Sequence, residues 1–82
     1  MKRKPSDFEL QVLGVLWDAP GSTVREVRER LPDGKDRAYT SVLSVMQVMK
    51  KKGFLDKEKS DGGGADRWRA VVGRDEISRP IL

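Results

Sequence analysis

Ala38-Tyr39-Thr40-Ser41-Val42-Leu43-Ser44-Val45-Met46-Gln47-Val48-Met49-Lys50-Lys51-Lys52-Gly53 decides how the rest of the chain is read. Projected as a helix over 38–52, Tyr39, Val42, Leu43, Met46 and Met49 share one apolar face. The opposite stripe holds Thr40, Ser44, Gln47 and Lys51, flanked by Ser41 and Val48. It is uncharged along most of its length and turns basic only at its C-terminal end. A solvated helix face ordinarily carries Glu and Lys pairs. Small hydroxyls and an amide suit a surface that comes close to base edges, where they donate, accept or touch a thymine methyl. Lys35 and Arg37 precede the segment and Lys50-Lys51-Lys52 close it, so cations stand at both ends of a neutral face, as phosphate contacts on either side of a groove require. The lysine run also has a structural use, since cations favour a helix C-terminus. Gly53 then stops the helix in the left-handed conformation.

Upstream, Ser6-Asp7-Phe8-Glu9 is a capping box, and Phe8, Val12, Leu13, Leu16 and Trp17 follow at helical spacing as far as Asp18. Pro20-Gly21 ends that helix. Thr23-Val24-Arg25-Glu26 repeats the box ahead of Val24, Val27 and Leu31, which predicts a short second helix over 24–31, stopped by Pro32-Asp33-Gly34. Residues 20–22 between the two helices are extended and suited to a sheet edge.

Downstream of Gly53 the period changes to two. Leu55, Lys57 and Lys59 alternate with Asp56, Glu58 and Ser60, and after Asp61-Gly62-Gly63-Gly64-Ala65-Asp66, Trp68, Ala70 and Val72 alternate with Arg67, Arg69 and Val71. This predicts a β-hairpin with a long tip, Trp68 buried on the helices, and Arg67 and Arg69 on the outer face with Lys57 and Lys59 nearby. A nucleotide-binding glycine loop needs a helix after it, whereas here a second strand follows, so the glycines serve a turn. The expected fold is mainly α with a small β-hairpin, an α+β winged helix-turn-helix of three helices and a two- to three-stranded antiparallel wing. Residues 1–72 form the domain. Residues 73–82 form a tail, in which 74–79 begin a fourth helix that Pro80 cuts short.

Composition narrows the chemistry. Eighty-two residues make one domain with a small core. The chain has neither cysteine nor histidine, which excludes disulfides, Cys/His zinc sites, thiol nucleophiles and histidine-based triads. No metal and no cofactor is expected. Asp7 with Glu9, and Glu26 with Glu29, are the pairs a carboxylate enzyme would use, but all four lie in capping or solvated helix positions, so no catalytic residue is assigned. No stretch approaches the length of a membrane span, Lys2-Arg3-Lys4 lead into no signal sequence, and a cytoplasmic, nucleoid-associated protein is expected. Residues 1–34 balance six basic side chains against six acidic ones, so the whole net charge of +4 lies in residues 35–82. A basic half of this kind suits a polyanionic partner.

The order and spacing of several short motifs resemble the amino-terminal domain of the BlaI/MecI family, the penicillinase repressors. The matching residues are Ser6-Asp7-Phe8-Glu9-Leu10 leading to Leu16-Trp17, then Thr23-Val24-Arg25-Glu26-Val27, and above all Ala38 to Met46 running into Lys51-Lys52-Gly53-Phe54-Leu55. The resemblance covers residues 6–72. It implies a dimeric repressor on palindromic operator DNA, with base contacts from the first turns of the third helix at Thr40, Ser41 and Ser44. The residues taken on their own terms nominate Thr40, Ser41, Ser44 and Gln47 as base readers, and Lys35, Arg37, Lys50, Lys51, Arg67 and Arg69 as phosphate contacts. The expected partners are double-stranded DNA and a second copy of the chain, with no membrane and no small-molecule substrate. The competing reading is a winged helix that packs its third helix on a protein, for which Val48 and Val45 are the apolar anchors on this stripe. The wing departs from the family in being longer and glycine-rich, and the resemblance implies that the tail at 73–82 is the start of a dimerisation region, truncated or missing here.

Overall fold

A computed structural model describes residues 5–32, 34–59 and 64–73. Helix α1 runs Asp7–Asp18, α2 Val24–Arg30 and α3 Tyr39–Lys52, with a short 3₁₀ turn at Gly34–Asp36 before α3; strands β1 (Leu55–Glu58) and β2 (Arg67–Ala70) follow. The basic start, the hairpin tip at 60–63, Asp33 and the tail beyond Gly73 lie outside the described residues.

Both capping boxes form. The Ser6 hydroxyl accepts from the Glu9 amide while the Ser6 amide donates back to the Glu9 carboxylate, and Thr23 and Glu26 do the same for α2. Helix α2 ends one residue earlier than its apolar spacing predicts. Leu31 is extended, at ψ 143°, because the proline ring that follows clashes with a helical residue before it. Leu31 is nevertheless buried, so the spacing identified the right core residue. Helix α3 ends at Gly53 with φ 89°; the Gly53 amide donates to Lys50 and the Phe54 amide to Met49, the pattern of a Schellman cap.

Val12, Leu13 and Leu16 of α1, Val24 and Val27 of α2, and Val42, Met46 and Met49 of α3 meet in one core, closed from below by Phe54, Leu55 and Trp68. Trp68 is 1 % exposed. The hairpin is antiparallel, with Leu55 opposite Ala70 and Lys57 opposite Trp68. The extended residues after α1 reach its far edge: the Gly21 amide donates to the Trp68 carbonyl and the Trp68 amide to the Ser22 carbonyl, both at 2.8 Å. Among the described residues the sheet therefore has two strands and a single-residue bridge at Ser22.

The link between α2 and α3 shows why Gly34 stands there. Its φ is ordinary, but a Cβ at this position would lie 1.7 Å from the carbonyl oxygen of Arg28. The turn is thus closed by backbone packed directly on backbone. Arg28 fastens it from the other side, donating from Nε to the Arg37 carbonyl at 2.6 Å.

Candidate nucleic-acid interface

Helix α3 turns Val42, Met46 and Met49 into the core and leaves Thr40, Ser41, Ser44, Gln47, Lys50 and Lys51 exposed on its other side. From Thr40 to Lys51 this stripe is about 16 Å long at the rise of an α-helix, enough to lie across a major groove about 12 Å wide. Where α3 approaches β1, Ser44, Gln47, Val48, Lys50, Lys51 and Lys57 line an open groove of about 480 Å³. Ser44 and Gln47, two of the four base-reading candidates, are therefore neighbours of the lysines in space. A larger groove of about 510 Å³ lies between α1 and α2, around Gln11, Trp17 and Arg30, and takes no residue from α3.

The start of α3 differs from the starts of the other two helices. Its N-cap is Ala38, which makes no side-chain capping hydrogen bond, and its first turn holds no acidic residue. The positive end of the helix dipole is accordingly neither capped nor neutralised by α3 itself, in contrast to the Glu9 and Glu26 carboxylates at the starts of α1 and α2.

Several nominated cations have tasks within the protein that sequence spacing did not reveal. The Arg37 guanidinium stacks over the Phe8 ring, 4.0 Å from its centroid, which joins the entry of α3 to α1. Arg67 donates to the Gly21 carbonyl at 3.2 Å. Arg69 pairs with Asp56 at 3.5 Å and, more loosely, with Glu58 at 4.0 Å. The side chain of Lys35 lies outside the described residues. Lys50 and Lys51 are exposed, and no ion pair is formed by either among the described residues.

The wing also corrects the expected charge layout. Its register sets Asp56 opposite Arg69 and Glu58 opposite Arg67, so the outer face alternates in sign and is not a basic surface. The lysine expected beside the two arginines, Lys57, is on the other face, opposite Trp68. Asp56 carries a pKa below the ordinary carboxylate range because the Lys57 amide donates to it and Arg69 and Lys50 lie nearby. Tyr39, placed by its spacing on the apolar face, is 45 % exposed: it sits in the first turn, and α3 meets the core only from Val42 onward. Val45, a candidate docking anchor, packs partly against the core, leaving Val48 as the exposed apolar residue of the α3 stripe.

Lys52, the third lysine of the run, stays half-exposed but reaches back to α1. Its Nζ lies 3.1 Å from the Glu9 carboxylate, which is buried beneath the start of α1. Glu9 was expected to be a capping residue; it is one, and it also locks the end of α3 to α1. Burial alone would raise its pKa, but the Ser6 amide, the Lys52 ammonium and the Ser6 hydroxyl outweigh it and hold the carboxyl below the ordinary 4.5. A lowered folded-state pKa means that this contribution is complete at neutral pH and is lost as pH falls below the ordinary value and through the folded one. Glu9→Gln keeps an acceptor for the Ser6 amide but removes the charge. The melting-temperature gap between parent and variant should therefore shrink between about pH 6 and about pH 3, and a gap independent of pH would contradict this account.

Three helices in this order, a wing pinned to them by a tryptophan, and an exposed third helix define a winged helix-turn-helix domain. The chain belongs to the penicillinase repressor family, whose sequence profile it matches over residues 5–81. It is 39 % identical over 77 residues to the transcriptional regulator BlaI of Mycobacterium tuberculosis, in both the CDC 1551 and H37Rv strains, a match that takes in 93 % of this chain and 54 % of the relative. The chain thus spans about half the length of these relatives. Among solved structures, the PcaV transcriptional regulator of Streptomyces coelicolor, crystallised with its natural ligand, superposes with a TM-score of 0.71 at 23 % identity, over 84 % of this chain and 47 % of that one. That likeness concerns the fold. No helix among the described residues is long and apolar enough to cross a membrane, and none of their acidic side chains cluster as a metal site would require.

Proposed function

We propose that the chain is a sequence-specific duplex-DNA-binding transcriptional regulator, acting as a repressor, which lays α3 in the major groove. The observation that carries the reading is the α3 surface itself: Thr40, Ser41, Ser44 and Gln47 exposed in a stripe without acidic residues, beside Lys50 and Lys51. Base readout belongs to the four neutral side chains and phosphate contact first to the two lysines. Lys35 remains a phosphate ligand in this reading. Arg37, Arg67 and Arg69 serve more weakly, because each already has an internal partner. Membership of a family described as repressors and relatives named as transcriptional regulators support the same function, a non-enzymatic role and a place in the cytoplasm at the nucleoid. A palindromic operator bound by a homodimer is the matching assembly.

Selection of bound duplexes from a random pool tests this directly, and a regular half-site spacing among them would report the dimer. Titration with a selected duplex should shift the amide signals of residues 40–51. Signals that stay unmoved while the protein binds would remove α3 from the interface. The exposed Val48 is too small an apolar surface to favour a protein partner on this face.

The uncapped start of α3 yields a further expectation. Ala38→Asp supplies the missing cap and should raise stability by about 1 kcal/mol. The same carboxylate would stand where the reading puts the sugar-phosphate backbone, so affinity for the selected duplex should fall. A variant that melts higher and binds as well as the parent would show that this helix end does not approach DNA.

A further inference from the structure

Lys57 stands out because the fold gives it a place that its sequence neighbours do not share. Strand register sets it opposite Trp68 on the face turned toward the helices, whereas Asp56 and Glu58 point outward to Arg69. Its Nζ lies 3.0 Å from the Asp66 carboxylate and 5.3 Å from the centre of the Trp68 ring. The side chain forms a ridge between two grooves. On one side are Ser44, Gln47, Val48, Lys50 and Lys51, with no acidic residue. On the other are Tyr39, Leu43, Gln47 and Asp66, around a space of about 350 Å³.

We propose that Lys57 is a DNA phosphate ligand held in check by Asp66, which keeps the ammonium in the free protein and yields it to a phosphate in the complex. The inference rests on the duplex-binding reading above and adds a contact to that surface. The pair with Asp66 is half-exposed on both sides, 35 % and 30 %, and pairs of that kind are weak and easily exchanged. A lysine carries its charge on a flexible stem with rotatable donors, so passage from one groove to the other needs side-chain rotation and no movement of the strand. Trp68, buried beneath Lys57, presents its ring face to the ammonium and so adds a weak attraction at this place. In the lysine groove the ammonium joins Lys50 and Lys51 beside Ser44 and Gln47, where a strand flanking the α3 stripe would pass. Asp66 opposes binding twice: it competes for the ammonium and repels the incoming polyanion.

The test is a double-mutant cycle on a duplex selected by the parent protein, comparing Asp66→Asn, Lys57→Gln and the double variant at about 0.1 M salt, with Glu58→Gln as a control for loss of one negative charge on the outer face. Asp66→Asn should tighten binding several-fold with an unchanged salt slope. Lys57→Gln should weaken binding and reduce the log–log salt slope by about 0.9, the loss of one neutralised phosphate. In the Lys57→Gln background the Asp66→Asn gain should fall to the small gain of Glu58→Gln. Lys57→Arg, which keeps the charge, should retain the parental slope and so separates loss of contact from loss of fold. A Lys57→Gln slope equal to the parent's, or an Asp66→Asn gain that persists without Lys57, would overturn the inference while leaving DNA binding intact. A parent that selects no duplex at all would bring down both.

Discussion

Trp68→Ala should lower the stability of the domain by about 3–5 kcal/mol, the range for removing a fully buried large aromatic side chain. A domain of this size is held by only about 4–12 kcal/mol, so the loss takes about a quarter or more of the total and unfolds the domain at the low end of that range. Trp68 is the largest of the fully buried side chains, and two structures depend on its position. Its backbone takes the hydrogen bonds that tie residues 21 and 22 to the hairpin, and its ring closes the core beneath α1. Core packing comes almost entirely from helices and one short hairpin, with no disulfide to limit the loss. Urea unfolding followed by circular dichroism would measure it. Trp68→Phe, which retains most of the apolar volume, should lose much less. A Trp68→Ala midpoint within error of the parent's would mean that the hairpin is not part of the cooperative unit.

The second large effect concerns affinity. Reversing both exposed lysines, Lys50→Glu with Lys51→Glu, should weaken binding to a selected duplex on the order of 100-fold or more. Each charge-assisted hydrogen bond is worth about 1.5–3 kcal/mol, and about 1.4 kcal/mol is a factor of ten. With two phosphate contacts gone, the log–log salt slope should fall in magnitude by about 1.8. Stability should change far less, because these side chains contribute to the fold mainly through the helix dipole, about 0.3–1 kcal/mol each. Lys52, which holds Glu9, is left in place. Mobility-shift titrations over a range of salt would measure both quantities. Undiminished affinity with a parental slope would take the C-terminal half of α3 off the DNA and move the interface elsewhere.

Much of this architecture is legible residue by residue. Ser6 with Glu9 and Thr23 with Glu26 are local signals, since each capping box is closed within four consecutive residues and needs nothing from the rest of the chain. Gly53 is local in the same way. The apolar repeat of α3 sorted Val42, Met46 and Met49 inward and Thr40, Ser44 and Gln47 outward correctly, because a helix of that length has only one way to bury such a stripe. Tyr39 escaped the pattern because a spacing rule cannot tell where along its length a helix first meets its neighbours.

The charged residues were harder to place, and they divide the candidate site. Lys50, Lys51 and Lys52 are equivalent in sequence and all exposed, yet two form no ion pair among the described residues and one is spent on a carboxylate 43 positions away. Arg37 looks like a free cation until α1 brings the Phe8 ring beneath it. Arg69 and Lys57 looked like neighbours on one basic face until the hairpin register put acidic partners beside the first and an aromatic ring beside the second.

What the amino-acid order determined alone was the elements, their ends, the buried side of each and the neutral stripe of α3, because these follow from chain geometry and apolar periodicity over a few turns. Only the assembled fold decided which cations are available to a partner. A long basic side chain reaches far from its own backbone, and its charge is free or cancelled according to whichever carboxylate, carbonyl or ring packing happens to bring within that reach.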